Sequence, residues 1–252
     1  MSVAILINAL ALPADSRLDR RVPKKLLLDN GAPTPADRRQ ISDGVDELLW
    51  VAALKPTSIG VPAFRDQVRE YLEITVLSMT LRNEAKAARL TELIHRAIPY
   101  PAVLATVQKQ LVSVSLAHKR WSQGEAGKIV IENICRSAPF RPESPTPQES
   151  AYLASLAISG LPAGDLFALY QGWIDRVAAF EAAQVTGTFA APDTALRAAA
   201  LRASLDAHAK LQADIASLRS RANKEKQLAR RVELNLEIKR LEAQLAETAR
   251  AL

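Results

Sequence analysis

From Thr194 to Leu252 the chain contains neither glycine nor proline. A stretch of that length without a helix breaker has few ways to fold, because a compact domain usually stops its helices after about 8–20 residues and longer runs belong to coiled coils. Leu201, Ser204, His208, Leu211, Ile215, Leu218 and Ala222 follow alternating steps of three and four, the spacing of a coiled-coil seam. Leu234, Ile238, Leu241, Leu245 and Leu252 form a second seam in another phase. Carrying the first register onward puts Glu225, Ala229, Val232 and Leu236 at the seam, two residues out of step with the second. The mismatch predicts a break. Either one helix shifts phase, or the chain turns back near residues 222–227 and its two arms pack as an antiparallel hairpin. The hairpin is the preferred reading, with no glycine to mark its turn.

The same stretch holds the charge. Residues 195–252 carry 12 Lys or Arg against 7 Asp or Glu, leaving 21 against 20 for everything earlier and accounting for most of the net charge of +6. A neutral body with a basic tail points to a polyanionic partner for the tail. Arg219, Arg221, Lys224, Lys226, Arg230 and Arg231 fall within residues 219–231, opposed only by Glu225. At a hairpin tip they would crowd together and meet the phosphates of DNA. A solvated turn whose charges keep the hairpin soluble is the plainer alternative. The tail has no aromatic residue, so stacking on single-stranded bases is not expected of it.

Upstream, the pattern is mixed. MSVAILINALALPADSR opens the chain with no basic residue before its apolar part, and the run is far short of the roughly 20 residues a bilayer span needs, so a buried amphipathic helix is expected there. Thr34-Pro35-Ala36-Asp37 has a capping threonine, a first-turn proline and an acid, which predicts a short helix ending near Gly44. Residues 45–56 and 71–82 carry strand patterns, joined by a loop holding Pro56, Gly60 and Pro62. Residues 84–97 place Ala87, Leu90, Ile94 and Ala97 on one helical stripe. A hairpin of 102–108 with 110–120 follows, then a turn at Gly124 and Gly127 and a strand over 128–136. Most connections are too short for parallel crossovers, which favours antiparallel pairing. SAPFRPESPTPQES (137–150) marks a boundary, beyond which residues 165–182 form a helix with Leu166, Leu169, Tyr170, Trp173, Ile174, Val177 and Phe180 on one apolar face. The expected architecture is α+β: a small, mostly antiparallel sheet with packed helices over 1–146, a helical connector over 147–193, and a basic tail over 194–252 ending in a coiled-coil helical hairpin.

A search for chemistry returns little. His95, His118 and His208 lie far apart and are expected at surface or boundary positions, and the single Cys135 is expected to be a small buried residue, so no metal site is expected. Free thiol usage suits the cytoplasm. The nine glycines form no phosphate-binding or dinucleotide motif, and no cofactor is expected. The sharpest enzymatic alternative is a metal-dependent nuclease recruiting Asp46, Glu47, Glu73 and Lys119, but Glu73 lacks a lysine two positions on.

The patches RVPKKLLLDN (21–30), LLWVAALKPTSIGVP (48–62), YLEITVL (71–77), IHRAIPYPAVL (94–104) and KEKQLARRVELNLEIKRLEAQL (224–245) occur in the order found in a bacterial family, domain of unknown function 4391, which the chain resembles over most of its length. Members of that family often carry an aromatic residue where this chain has Leu228. The resemblance implies a gene neighbourhood of helicases and DNA methyltransferases in phage-defence islands, and no catalytic residue. The resulting expectation is a non-catalytic accessory subunit of an anti-phage defence system. Its partners would be a helicase and/or DNA methyltransferase, with DNA at the tail cations and protein assembly through Leu234, Ile238, Leu241 and Leu245. Alternatives are the nuclease and a structural adaptor that homodimerises through the tail.

Overall fold

A computed structural model describes residues 2–125 and 129–252. In chain order its elements are α1 (Ser2–Ala9), β1 (Arg17–Arg21), α2 (Lys24–Gly31), α3 (Pro35–Gly44), β2 (Val45–Leu54), α4 (Pro56–Ile59), β3 (Phe64–Arg65), β4 (Glu70–Tyr71), β5 (Ile74–Leu81), α5 (Ala87–Ala97), β6 (Ala102–Gln108), β7 (Leu111–Trp121), β8 (Ile129–Arg136), α6 (Pro147–Ser155), α7 (Leu166–Thr186), α8 (Ala195–Lys224) and α9 (Leu228–Arg250). Gly127 and Lys128, expected in a turn and at a strand start, lie outside the described residues. The fold is α+β and forms two compact units, Met1–Val177 and Ala178–Leu252. Among the described residues no helix is long and apolar enough to cross a membrane.

The first unit is built on a six-stranded sheet of order β1-β2-β5-β6-β7-β8. Its neighbours are antiparallel except for β5 and β6. That parallel pair corrects the expectation of short connections: α5 carries the chain from Leu81 to Ala102, long enough for a crossover. β1 was not legible, because its sequence RLDRR has no apolar alternation; it is an exposed edge strand whose charges discourage pairing with another chain. The strand expected over 71–82 starts only at Ile74, with Tyr71 in the separate β3–β4 hairpin. β5 is buried on both faces, which explains its imperfect period of two. The expected loop after β2 contains the short α4, closed by Gly60 at φ 69°.

Thr34 caps α3 by accepting from the Asp37 amide at 3.1 Å, and Arg89 of α5 grips the Asp37 carboxylate at 2.8 and 2.9 Å, holding its pKa below the usual carboxylate value. Leu90, Leu93 and Ile94 of α5 pack on Leu48, Leu77, Met79 and Leu104 of the sheet. Gly31 lets α2 approach α5 closely: a Cβ there would stand 2.6 Å from the Ala97 Cβ.

The surface or boundary position expected for the histidines is corrected for His95. The last turn of α5 lies over β7, the imidazole is fully buried, and its Nε2 meets Ser115 Oγ at 3.0 Å. Burial first, then the charges of Lys119 and Arg136, push its pKa down to about 3, so the ring is neutral. His208 is also buried, at a seam position of α8, whereas half-buried His118 bonds the Tyr71 hydroxyl and lies 2.8 Å from Gln171 Oε1. Cys135 is half-buried, with Sγ 3.9 Å from the Ile174 carbonyl.

All seven apolar-face residues expected on α7 are buried. Within the first unit, Tyr170 accepts from the Ala117 amide at 2.9 Å and donates to the Ala102 carbonyl at 2.8 Å, pinning the helix to β6 and β7. Gly187, at φ 79°, ends α7 in the left-handed conformation that suits glycine.

In the second unit α8 and α9 pack on each other as a hairpin. Ile215, Leu218 and Ala222 of α8 meet Leu234 and Ile238 of α9, with Leu241 and Leu245 partly buried alongside. The turn needs no glycine. Glu225 and Gln227 are extended, at φ −74° and −79°, so any L-residue serves.

Candidate nucleic-acid interface

The hairpin brings the two charged segments to one end. Arg221 and Lys224 occupy the last turn of α8, where a helix dipole favours cations. Arg230 and Arg231 follow three or four residues after the turn, in the first turns of α9, where the dipole disfavours them. No acid stands in that first turn and Gln227 makes no side-chain cap. Helix stability alone would select the opposite charge. A helix start of this kind is electrostatically favourable to negative charge, and the Glu225 carboxylate stands beside it.

The six predicted cations are not equivalent. Arg221, Lys224 and Arg230 line one depression of about 270 Å³, together with Glu225 and Leu234. Glu225 is engaged locally, accepting from the Gln227 amide at 2.9 Å and standing 3.9 Å from Arg230 Nε. Lys226 and Arg231 are exposed beside this depression and do not line it. Arg219 is tied across the hairpin to Glu242 at 2.6 Å, so its charge is partly spent on holding α8 to α9.

Leu234, Ile238, Leu241 and Leu245, the residues expected to bind a partner, face α8 of the same chain. They influence a partner by keeping the hairpin folded. What α9 offers outward is Leu228, Val232 and Leu236, one stripe at a spacing of four, with Leu228 66% and Leu236 63% exposed. Sequence reasoning passed over this stripe. The signal was there: continuing the first seam already placed Val232 and Leu236 on a face other than that of the second seam.

The residues recruited for a nuclease are not gathered. Glu47 pairs in register with Thr80 and Leu54 with Ile74, so Glu47 and Glu73 stand at opposite ends of the β2–β5 ladder, about 23 Å apart at the rise of a strand. Glu73 is 3.4 Å from Lys55, Glu47 is 3.9 Å from Arg21, and Asp46 faces solvent. Lys119 is buried under the end of α5. Among the described residues no group of three or more His, Cys, Asp or Glu is placed to hold a metal ion.

The chain matches the family described as Domain of unknown function (DUF4391) over residues 10–245, and it belongs to that family. No curated protein and no solved structure matches it.

Proposed function

We propose that this chain is a non-catalytic accessory subunit that contacts duplex DNA through the tip of its C-terminal hairpin. It would work in the bacterial cytoplasm beside a helicase and/or DNA methyltransferase in anti-phage defence. The observation that carries the DNA part is the depression where Arg221, Lys224 and Arg230 converge with Glu225 as the one acid among its described lining residues. Cations at an uncapped helix N-terminus serve phosphate better than they serve the helix. The defence setting and its partners rest on the family resemblance. The test of DNA contact is a titration of fluorescent duplex DNA with the full chain and with the triple variant Arg221→Gln, Lys224→Gln, Arg230→Gln. A large loss of affinity is expected at unchanged helicity; equal affinities would remove the tip from DNA binding.

One observation favours a second reading, an adaptor that pairs through its tail: the exposed Leu228, Val232 and Leu236 stripe. Sedimentation of the wild type against a variant with all three changed to Gln decides it. A wild-type dimer that the variant dissociates supports the adaptor, and a monomeric wild type ends it.

A further inference from the structure

Two cavities open side by side on the first unit and share the wall made by Pro99 and Tyr100. One, of about 180 Å³, is bounded by Arg69, Leu72, Lys119, Arg120 and Trp121. The other, of about 340 Å³, is bounded by Arg20, Arg21, Leu26 and Trp50. Each has two arginines and two aromatic rings among its lining residues. Tyr100 is 40% and Trp121 37% exposed, large values for rings that could have packed inward.

The charge is lopsided. Lys119 is buried beside the first cavity and donates to the His95 carbonyl at 2.8 Å and to the Ile98 carbonyl, at the end of α5, with no carboxylate in ion-pair distance among the described residues. Burial pushes its amine down to about 7, and an anion alongside would hold the ammonium form. Among the described residues Arg69 and Arg120 share one carboxylate, Glu132, at 3.4 and 3.9 Å. Glu70, the one acid bounding this cavity among the described residues, is engaged by Arg65. In the second cavity, among the described residues, Arg21 has only Glu47 at 3.9 Å and Arg20 has no ion pair.

The β3–β4 hairpin that carries Arg69 is held in place by rings. Phe64 stacks on Phe167 at 5.0 Å between centroids, Tyr71 packs edge-on to Phe167 at 5.4 Å, and the Arg69 guanidinium lies 5.2 Å from the Phe167 ring. The position of Arg69 in this wall is therefore supported by packing.

An apolar slot with flat rings at its rim and excess cations at its walls matches one chemistry, a chain of planar bases joined by phosphates. We propose that this face of the first unit binds single-stranded nucleic acid, with bases lodged in the two cavities against Tyr100 and Trp121 and phosphates at Arg20, Arg21, Arg69 and Arg120. The hairpin tip has no aromatic ring and serves phosphates alone, so the two surfaces differ in the strand form they bind, and neither assignment needs the other.

The test is fluorescence anisotropy of the full chain with oligo(dT), oligo(rU) and a blunt duplex. Tyr100→Ala and Trp121→Ala should each weaken oligo(dT) binding about five- to 150-fold, the range for one lost base–aromatic stack, while duplex affinity stays as it was. Tyr100→Phe should bind as the wild type does, because it keeps the ring. Arg69→Gln with Arg120→Gln should flatten the salt dependence on oligo(dT) by about 0.7 per phosphate lost. The triple hairpin variant should keep oligo(dT) binding, so failure at one surface is distinguishable from failure at the other. The proposal is overturned if the wild type binds neither oligonucleotide, if the alanine variants keep wild-type melting and wild-type affinity, or if they lose duplex and single strand alike. Loss of a protein partner with oligonucleotide binding intact would also overturn it, assigning the face to protein.

Discussion

Ile238 is the most informative place to disturb the hairpin, because its side chain is 7% exposed and its neighbours are the buried residues of the other arm. Ile238→Ala removes about three carbons, worth about 0.8 kcal/mol each when buried, or roughly 2.4 kcal/mol in all. Two packed helices can close around a small deletion more easily than a sealed core, so the cost should sit near the lower end of the ~2–5 kcal/mol range for such truncations. A local destabilisation of that size speeds amide exchange about 50-fold wherever the amides open together with the hairpin. The assay is hydrogen exchange on wild type and variant, read over residues 205–222 of α8, which the substitution does not touch. Faster exchange there, with β5 and β6 unchanged, is the expected result. Unchanged protection over residues 205–222 would refute the mutual dependence of the arms.

Three further outcomes follow from particular contacts. Because the folded-state pKa of His95 lies at about 3, below its ordinary 6.5, the native chain resists a proton that the unfolded chain accepts, so stability should fall as pH drops from 6.5 towards 3. Denaturant midpoints for His95→Gln should lose part of this slope, at most about 1.4 kcal/mol per pH unit, and an identical slope in the variant would show that His95 is not its source. Gly31→Ala puts a methyl 2.6 Å from the Ala97 Cβ and 2.9 Å from the Leu93 carbonyl oxygen and should cost about 1–3 kcal/mol in a urea titration. Gly160→Ala, with open space around it, should change little; equal effects would show that the α2–α5 approach is not tight. Finally, purified chain with Mg²⁺ or Mn²⁺ should leave plasmid and single-stranded DNA intact, and cleavage abolished by Glu73→Ala would reinstate the nuclease.

What could be read from the sequence is what local rules govern. The cap at Thr34, the apolar face of α7 and the out-of-phase seams of the tail depend on neighbours within a few turns, and each appears where its pattern lies. What could not be read depends on residues far away in the chain. β1 has no strand pattern because it is an edge, and β5 hides its alternation because both faces are covered. His95 looks like a boundary residue until Ser115 and Lys119 arrive from β7. At the tip, the sequence located all six cations but could not separate Arg219, committed to Glu242, from the three that share a depression. The arginine and aromatic residues around Tyr100 come from β1, β2, the β3–β4 turn, β7 and the loop before β6, so no window of sequence gathers them.

The central claim, that the hairpin tip neutralises duplex phosphates, is most directly tested by the slope of log Kobs against log salt concentration for duplex DNA. Each phosphate neutralised contributes about 0.9 to that slope. Replacing Arg221, Lys224 and Arg230 by glutamine should flatten it by up to about 2.7, while Arg219→Gln, whose partner is Glu242, should change it by less than one phosphate's share. A triple variant with the wild-type slope, or a wild-type chain that shows no salt-dependent binding to duplex DNA, would contradict the account.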